Sequence, residues 1–158
     1  MRNIESRIWV SALSLHGELF NRLNRILTRE FGLTLAKYDV LAQLVRLPEG
    51  MTLGELSRDL KVTGGNVTGL VRRLNAEGML TREVSPVDRR SFTVRITPHG
   101  ASLHDATRQR HDALLGEWLG NLPAEELDQA LRSLSLLNRH IGSARSERTG
   151  GREVEQSA

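Results

Sequence analysis

Residues 52–97 decide the fold, and they read TLGELSRDLKVTGGNVTGLVRRLNAEGMLTREVSPVDRRSFTVRIT. The stretch opens with a Thr-x-x-Glu capping box, in which Thr52 and Glu55 each satisfy a free backbone N–H group at a helix start. Three apolar residues then share one helix face: Leu53, Leu56 and Leu60. The pattern predicts a short first helix.

A second helical pattern follows a tight link, with Thr63 as its N-cap and Gly78 as its stop. At roughly 100° per residue, it has one apolar stripe that is predicted to be buried: Val67, Leu70, Val71 and Leu74. The opposite face and its flanks are small or polar, and the candidate DNA contacts there are Thr63, Gly65, Asn66, Thr68, Gly69, Arg72 and Arg73. The glycines permit a close backbone approach, so that the free amides at this helix start can meet phosphate.

Two β-prone runs come next, at 80–84 and 92–96, and they predict a hairpin with a long basic tip. An arginine at such a tip can enter the narrow minor groove, and a nearby carboxylate can orient it. Arg90 is the first candidate for insertion, Arg89 the second, and Asp88 the orienting acid. Solvated polar surfaces are the alternative reading of this helix and this hairpin, but their succession favours a DNA reader.

The order of these elements, with Asp88-x-Arg90 in the hairpin and Thr97-Pro98-x-Gly100 after it, resembles the MarR (multiple antibiotic resistance regulator) family of bacterial transcription factors. The resemblance covers about residues 5–142. It implies a mainly α fold with a small β-hairpin wing, a winged helix-turn-helix between N- and C-terminal dimerisation helices. It also implies that Asp88 and Arg90 form the wing pair, and that Asn66, Thr68 and Arg72 face the groove.

The composition limits which partners, which kinds of metal site and which cellular location are expected. The net charge is only +3 with a pI near 10.1, so the case for a polyanionic partner depends on the local excess of basic residues between 61 and 95. No cysteine is present, which excludes disulfides and thiolate metal sites. No signal peptide or bilayer-length apolar run is seen, so we expect a cytoplasmic protein without a membrane partner.

Long apolar stripes in both flanks predict a homodimer. They lie in helices predicted from Ile4 to about Phe31, from Pro98 to about Gly120, and from about 124 to 142, and they are wider than one small domain needs. An intramolecular core is the alternative for any single leucine. We therefore expect one domain over 1–142, with a reader at 33–97, dimerisation helices at 1–32 and 98–142, and a disordered tail at 143–158. Two-fold symmetry then predicts a pseudo-palindromic double-stranded DNA operator.

A small-molecule effector is expected from the resemblance, because family members often bind small aromatic acids between the dimerisation helices and the reader. The segments LAKYDVL and GNVTGLV resemble those of the family branch that controls hydroxycinnamate breakdown. This resemblance implies that the effector is an aromatic acid or its acyl-coenzyme A thioester. Candidate ligand contacts are Trp9, His16, Arg22, Arg25 and Tyr38. Interior packing of the histidine and a solvated basic face, with Arg29 and Lys37, are the alternatives.

Other function classes have weaker support. The chain lacks the phosphate-loop, zinc-protease and serine-hydrolase motifs, so no enzyme activity and no cofactor are predicted. A zinc-responsive regulator would have to use His104 and His111, but seven helical residues separate them by about 10.5 Å, too far to chelate one ion. A winged-helix protein-interaction module is the remaining alternative, and the arginines at the wing tip disfavour it. The expected function is that of a homodimeric, effector-released repressor of transcription.

Overall fold

The computed structural model describes residues 3–60, 67–84 and 92–150. The chain divides into two compact units, Met1–Leu114 and Leu115–Ala158. Within the described ranges the structure is mainly helical with one small antiparallel sheet, as the sequence predicts. None of the helices in those ranges combines the length and the apolarity that crossing a lipid bilayer requires.

Two helices begin the first unit, α1 over Ile4–Phe31 and α2 over Leu35–Arg46. Helix α1 ends at Gly32, whose φ of 65° lies in the left-handed region that glycine adopts without a Cβ penalty. Asn24 of α1 accepts a hydrogen bond from the backbone N–H of the first α2 residue at 2.9 Å. The short turn and this bond fix where α2 starts.

The reader follows as strand β1 (Met51–Thr52), helix α3 (Leu53–Asp59), helix α4 (Val67–Ala76), strand β2 (Leu80–Val84) and strand β3 (Phe92–Ile96). The predicted capping box is confirmed, because Glu55 N donates to Thr52 Oγ1 at 3.2 Å and Thr52 N donates to Glu55 Oε2 at 2.8 Å. The hydrogen bonds from Thr52 hold the pKa of the Glu55 carboxyl below its usual value. Helix α3 therefore starts at a defined residue.

The three strands form one antiparallel sheet in the order β1-β3-β2. The hairpin register pairs Leu80 with Ile96 and Val84 with Phe92, as the two predicted strands require. Strand β1 is absent from the sequence prediction, because two residues are too few to show an alternating pattern. Strand β1 pairs with the middle of β3. The two edges of the sheet are therefore β1, which leads directly into α3, and β2.

Helices α2, α3 and α4 and the sheet enclose the core of the first unit. The predicted stripe of α4 is confirmed, since its four apolar residues are all buried: Val67, Leu70, Val71 and Leu74. The largest fully buried side chains come from nearly every element: Leu27, Leu33, Val40, Leu41, Leu44, Leu56, Leu80 and Val94. Burial of each such side chain contributes about 1.5–3 kcal/mol, which makes this core the main source of stability.

Helix α5 spans Pro98–Leu119 and begins against the turn that ends α4. Gly78, with φ of 71°, reverses the chain after α4. Thr97 Oγ1 donates to the Gly78 carbonyl at 2.8 Å, and Thr97 N donates to the Met79 carbonyl at 3.1 Å. Thr97 Oγ1 also accepts the Gly100 N–H at 3.1 Å, which confirms it as the helix cap. The end of α4 and the start of α5 are thus one hydrogen-bonded junction.

The second unit contains the last turns of α5 and helix α6, which spans Ala124–Gly150. Helix α6 runs past residue 142, where the sequence predicts the folded chain to end. The loss of apolar periodicity after 142 predicts that the helix ends there. Residues 143–150 contain no proline, however, and polar residues alone do not stop a helix. The rest of the predicted tail, 151–158, lies outside the described residues.

Replacing Gly100 with alanine is expected to destabilise the first unit by about 1–3 kcal/mol. A Cβ atom at Gly100 would lie far inside van der Waals contact with the Met79 carbonyl oxygen, which already accepts the Thr97 N–H. Gly116→Ala is the matched control in the same helix, because nothing lies within 4 Å of its added Cβ. Urea unfolding should show a gain of up to about 1 kcal/mol for the control. Equal behaviour of the two variants would contradict the tight junction.

Candidate nucleic-acid interface and the cleft beside Tyr38

The exposed face of α4 carries the described part of the candidate interface. Thr68, Arg72 and Arg73 are exposed, and Gly69 is half-buried, opposite the buried stripe. Neither arginine is followed or preceded by an acidic residue within the helix. The helix therefore presents two guanidinium groups and a hydroxyl group beside a strip without large side chains. Such a surface can approach a nucleic-acid backbone closely.

Six of the ten predicted DNA contacts lie outside the described residues. They precede α4 in the chain or lie between β2 and β3: Thr63, Gly65, Asn66, Asp88, Arg89 and Arg90. Their roles stay predictions. The structure does describe the neighbouring elements, because α4 begins at Val67, β2 ends at Val84 and β3 begins at Phe92.

The stem of the wing, formed by β2 and β3, contains two of the basic residues between 61 and 95, Arg82 and Arg95. Arg95 donates to the Glu83 carboxylate at 2.6 Å and to the Glu49 carbonyl at 2.8 Å. The Arg82 guanidinium lies over the Phe92 ring, 3.6 Å from its centroid, in cation–π geometry. These contacts tie β2, β3 and the loop before β1 together, so both arginines stabilise the base of the wing.

The structure places the five predicted ligand contacts on two helices, α1 and α2. Trp9, His16 and Arg25 are exposed on α1, where His16 stacks on Phe20 with ring centroids 5.6 Å apart. Arg22 pairs with Glu18 one helical turn away at 2.6 Å. Only Tyr38, which is buried in α2, lines the cleft described next. The other four lie on α1, and the role of all five as ligand contacts stays a prediction.

A polar cleft of about 400 Å³ lies beside Tyr38. Its lining comes from α2, the end of α3 and α5: Tyr38, Asp39, Ala42, Gln43, Arg46, Asp59, Leu60 and His111. Both signs of charge are therefore present at its wall. A molecule with hydrogen-bond donors and acceptors on a flat body would match this lining.

The Tyr38 ring lies between two imidazoles of α5. Its centroid is 5.3 Å from that of His104 and 5.4 Å from that of His111, with interplanar angles of 10° and 21°. His104 and His111 are seven residues apart, which corresponds to about 10.5 Å along a helix. The two centroid distances together match that separation, so the Tyr38 ring lies between the two imidazoles. Burial raises the pKa of the Tyr38 hydroxyl. The described residues contain no cluster of three or more metal-ligating side chains, and these histidines pack α5 against α2.

Asp39 is the titratable group of the cleft with the most perturbed pKa. Burial raises the pKa of its carboxyl to about 6, against the opposing attraction of His111. A carboxyl with this pKa exchanges a proton close to neutral pH. The charge of the cleft wall therefore changes over a physiologically accessible range.

A family model described as the MarR family matches residues 31–91, a segment that includes α2, α3, α4 and β2. The solved structure of a MarR family transcriptional regulator from Silicibacter pomeroyi is 37% identical and superposes with a TM-score of 0.78. That match covers 87% of this chain and 94% of the other. The chain belongs to the MarR family. Its fold is accordingly the winged helix-turn-helix of these transcriptional regulators.

Two further proteins are similar to this chain. The transcriptional activatory protein BadR of Rhodopseudomonas palustris is 33% identical over 106 residues, which cover 65% of this chain and 61% of BadR. The match thus spans less than two thirds of the length of BadR. CouR of Rhodococcus jostii, solved with bound p-coumaroyl-CoA, is 23% identical with a TM-score of 0.70, covering 87% of this chain and 95% of CouR. At that identity it supports the shared fold.

Membership of the MarR family confirms the predicted class, because the family and these relatives are transcriptional regulators and not enzymes. The polar residues of the cleft were missed in the sequence, although a signal exists. Asp39, Gln43 and Arg46 are four and three residues apart, which places them on one face of α2. The other wall comes from α3 and α5, so no local pattern shows that the row faces a cleft.

Replacing Asp39 with asparagine is expected to raise the thermal midpoint at pH 7.5 and to raise it less at pH 4.5. The folded-state pKa of about 6 lies above the usual carboxyl value of 3.8, so the native state binds the proton more tightly than the unfolded state. Native stability is therefore lost as pH rises from about 4 through 6, and asparagine removes that loss. Asp59→Asn, an exposed carboxylate on the same cleft, is the control for charge. A pH-independent effect of Asp39→Asn would contradict the assignment.

Proposed function

We propose that this MarR-family protein is a homodimeric transcriptional repressor that binds a pseudo-palindromic operator and is released by a small aromatic acid or its acyl-coenzyme A thioester. The observation that carries the DNA-binding part is the exposed face of α4, where Arg72 and Arg73 flank small residues beside the stem of a hairpin wing. Helix α4 would lie in the major groove, and the wing arginines would reach the adjacent minor groove.

Exposed apolar side chains at both ends of the chain support the homodimer. The first half of α1 exposes Ile4, Ile8, Trp9, Val10, Leu13 and Leu15, and α6 exposes Leu131, Leu134, Leu136 and Ile141. Large apolar side chains exposed in such number along each helix support an interaction surface on that helix. A symmetric dimer would present two copies of α4 to half-sites about one helical turn apart, roughly 34 Å.

The cleft beside Tyr38 is the proposed effector site within the described residues. Arg46 and Gln43 supply donors for a carboxylate or carbonyl group, and Tyr38 and His111 line the wall beside them. CouR binds an aromatic acyl-coenzyme A thioester, which supports this ligand class. The cleft is built from α2 and α5 as well as the end of α3, so an occupant can shift the DNA-reading helices relative to α5. Release requires that the effector bind the DNA-free arrangement more tightly.

The direction of regulation is tested by deleting the gene and measuring transcription from the promoters that the protein binds. A repressor predicts increased transcription in the deletion strain and no further effect of the effector. BadR is named as an activatory protein, and loss of transcription on deletion would assign the same role here.

Alanine at Arg72 and at Arg90 should weaken operator binding in different ways. Arg72→Ala removes a phosphate contact, so the slope of log affinity against log salt should fall by about 1. Arg90→Ala should instead reduce the preference for a narrow A·T-rich minor groove. Fluorescence anisotropy on duplexes selected by the parent from a random library measures both effects. Arg108→Ala, an exposed arginine of α5, should change neither. Parent-like binding by both reader variants would overturn the assigned face.

An anionic aromatic acid should release DNA more effectively at pH 6 than at pH 8. The ionised Asp39 repels a carboxylate in the same cleft, and its pKa of about 6 makes protonation accessible over this range. Asp39→Asn should release DNA almost equally at both pH values, and Arg46→Ala should respond weakly at either. Titration of the protein–operator complex with cinnamates, benzoates and their thioesters gives the measurement. A parent response independent of pH would place the effector elsewhere.

A further inference from the structure

An ion pair joins the first turn of α2 to the end of α4. Lys37 Nζ lies 2.5 and 2.7 Å from the two carboxylate oxygens of Glu77, which is forty residues away in the chain. The lysine side chain is only 12% exposed and the glutamate 39%. A charge so far removed from water and held by both oxygens has a defined position, unlike most surface ion pairs. Lys37 is therefore not part of a basic surface.

Each partner stands at the helix end that disfavours its charge. Lys37 is the third residue of α2, where the helix dipole is positive, and that turn holds no acidic residue. Glu77 directly follows α4, where the dipole is negative, and its N–H group still donates to the Arg73 carbonyl at 2.9 Å. Neither helix gains stability from these residues separately. The stabilising interaction is the one between the helices, which depends on where α4 lies relative to α2.

The apolar contacts of α4 do not by themselves fix its direction. Its buried residues are Val67, Leu70, Val71 and Leu74, and hydrophobic contacts are non-directional. Two directional contacts hold its C-terminal end, the Lys37–Glu77 pair on the α2 side and the Thr97 hydrogen bonds to Gly78 and Met79 on the α5 side. A small rotation about this end would displace Arg72 and Arg73 and, further along, the start of the helix.

We propose that Lys37 and Glu77 form a positioning pair that sets the direction of α4 for sequence-specific DNA reading. The inference rests on the proposed DNA-binding function. Neither residue touches DNA in this role. The pair acts on specificity, because a misdirected helix loses base contacts while the basic surface still attracts phosphate.

The test compares Lys37→Glu, Glu77→Lys and the doubly exchanged protein on a selected operator and on a scrambled duplex of equal composition. The measured quantity is the ratio of the two affinities. Both single variants should lower this ratio by about tenfold, and the double exchange should restore it to within about threefold. The exchanged pair matches both helix dipoles, so its thermal midpoint should equal or exceed that of the parent.

Simple electrostatics predicts a different result. Lys37→Glu would then weaken, and Glu77→Lys strengthen, binding to both duplexes alike, with the ratio unchanged, and that outcome overturns the proposal. Asp112→Lys and Arg108→Glu make the same charge changes within α5 and should leave the ratio intact. If a reversal prevents folding, Lys37→Gln and Glu77→Gln should still lower the ratio. A parent without operator preference overturns DNA reading itself, whereas a preference unaffected by these variants overturns only the pair.

Discussion

The hydrogen-bonded junction at Gly78 and Met79 is the constraint on which the reader depends. Helix α4 ends there, strand β2 begins there, and the first turn of α5 is held against the same two carbonyl groups by Thr97. Gly100 leaves the space that this approach requires, because any Cβ would meet the Met79 carbonyl. A change in the direction of α5 must therefore displace the end of α4.

Some basic residues of this MarR-family protein are paired with acidic residues that hold the fold together, and others are exposed. Arg95 and Lys37 are engaged by Glu83 and Glu77 and hold elements in place, whereas Arg72 and Arg73 stand exposed on α4. A net charge of only +3 is thus compatible with a strongly basic face. The acidic residues neutralise the structural cations, and the cations of the reading face stay available for phosphate.

Local patterns were sufficient for most of the fold. The Thr52–Glu55 capping box, the buried stripe of α4 and the two wing strands all follow from spacings of a few residues, and the structure has each of them. The two-residue β1 escaped prediction because its strand character exists only through its pairing with Thr93 and Val94. The end of α6 was also missed, because a polar helix has no periodic signal.

The sequence by itself determined most of the helices, the two wing strands and which face of α4 is polar, because caps, glycine stops and apolar periodicity act within one or two turns. Only the tertiary structure decided the strand β1, which charges are paired inside the fold and where a cleft opens. Lys37 meets Glu77 across forty residues, and the cleft beside Tyr38 takes its walls from three helices. Such contacts depend on how elements pack, and no spacing along one helix encodes the position of another.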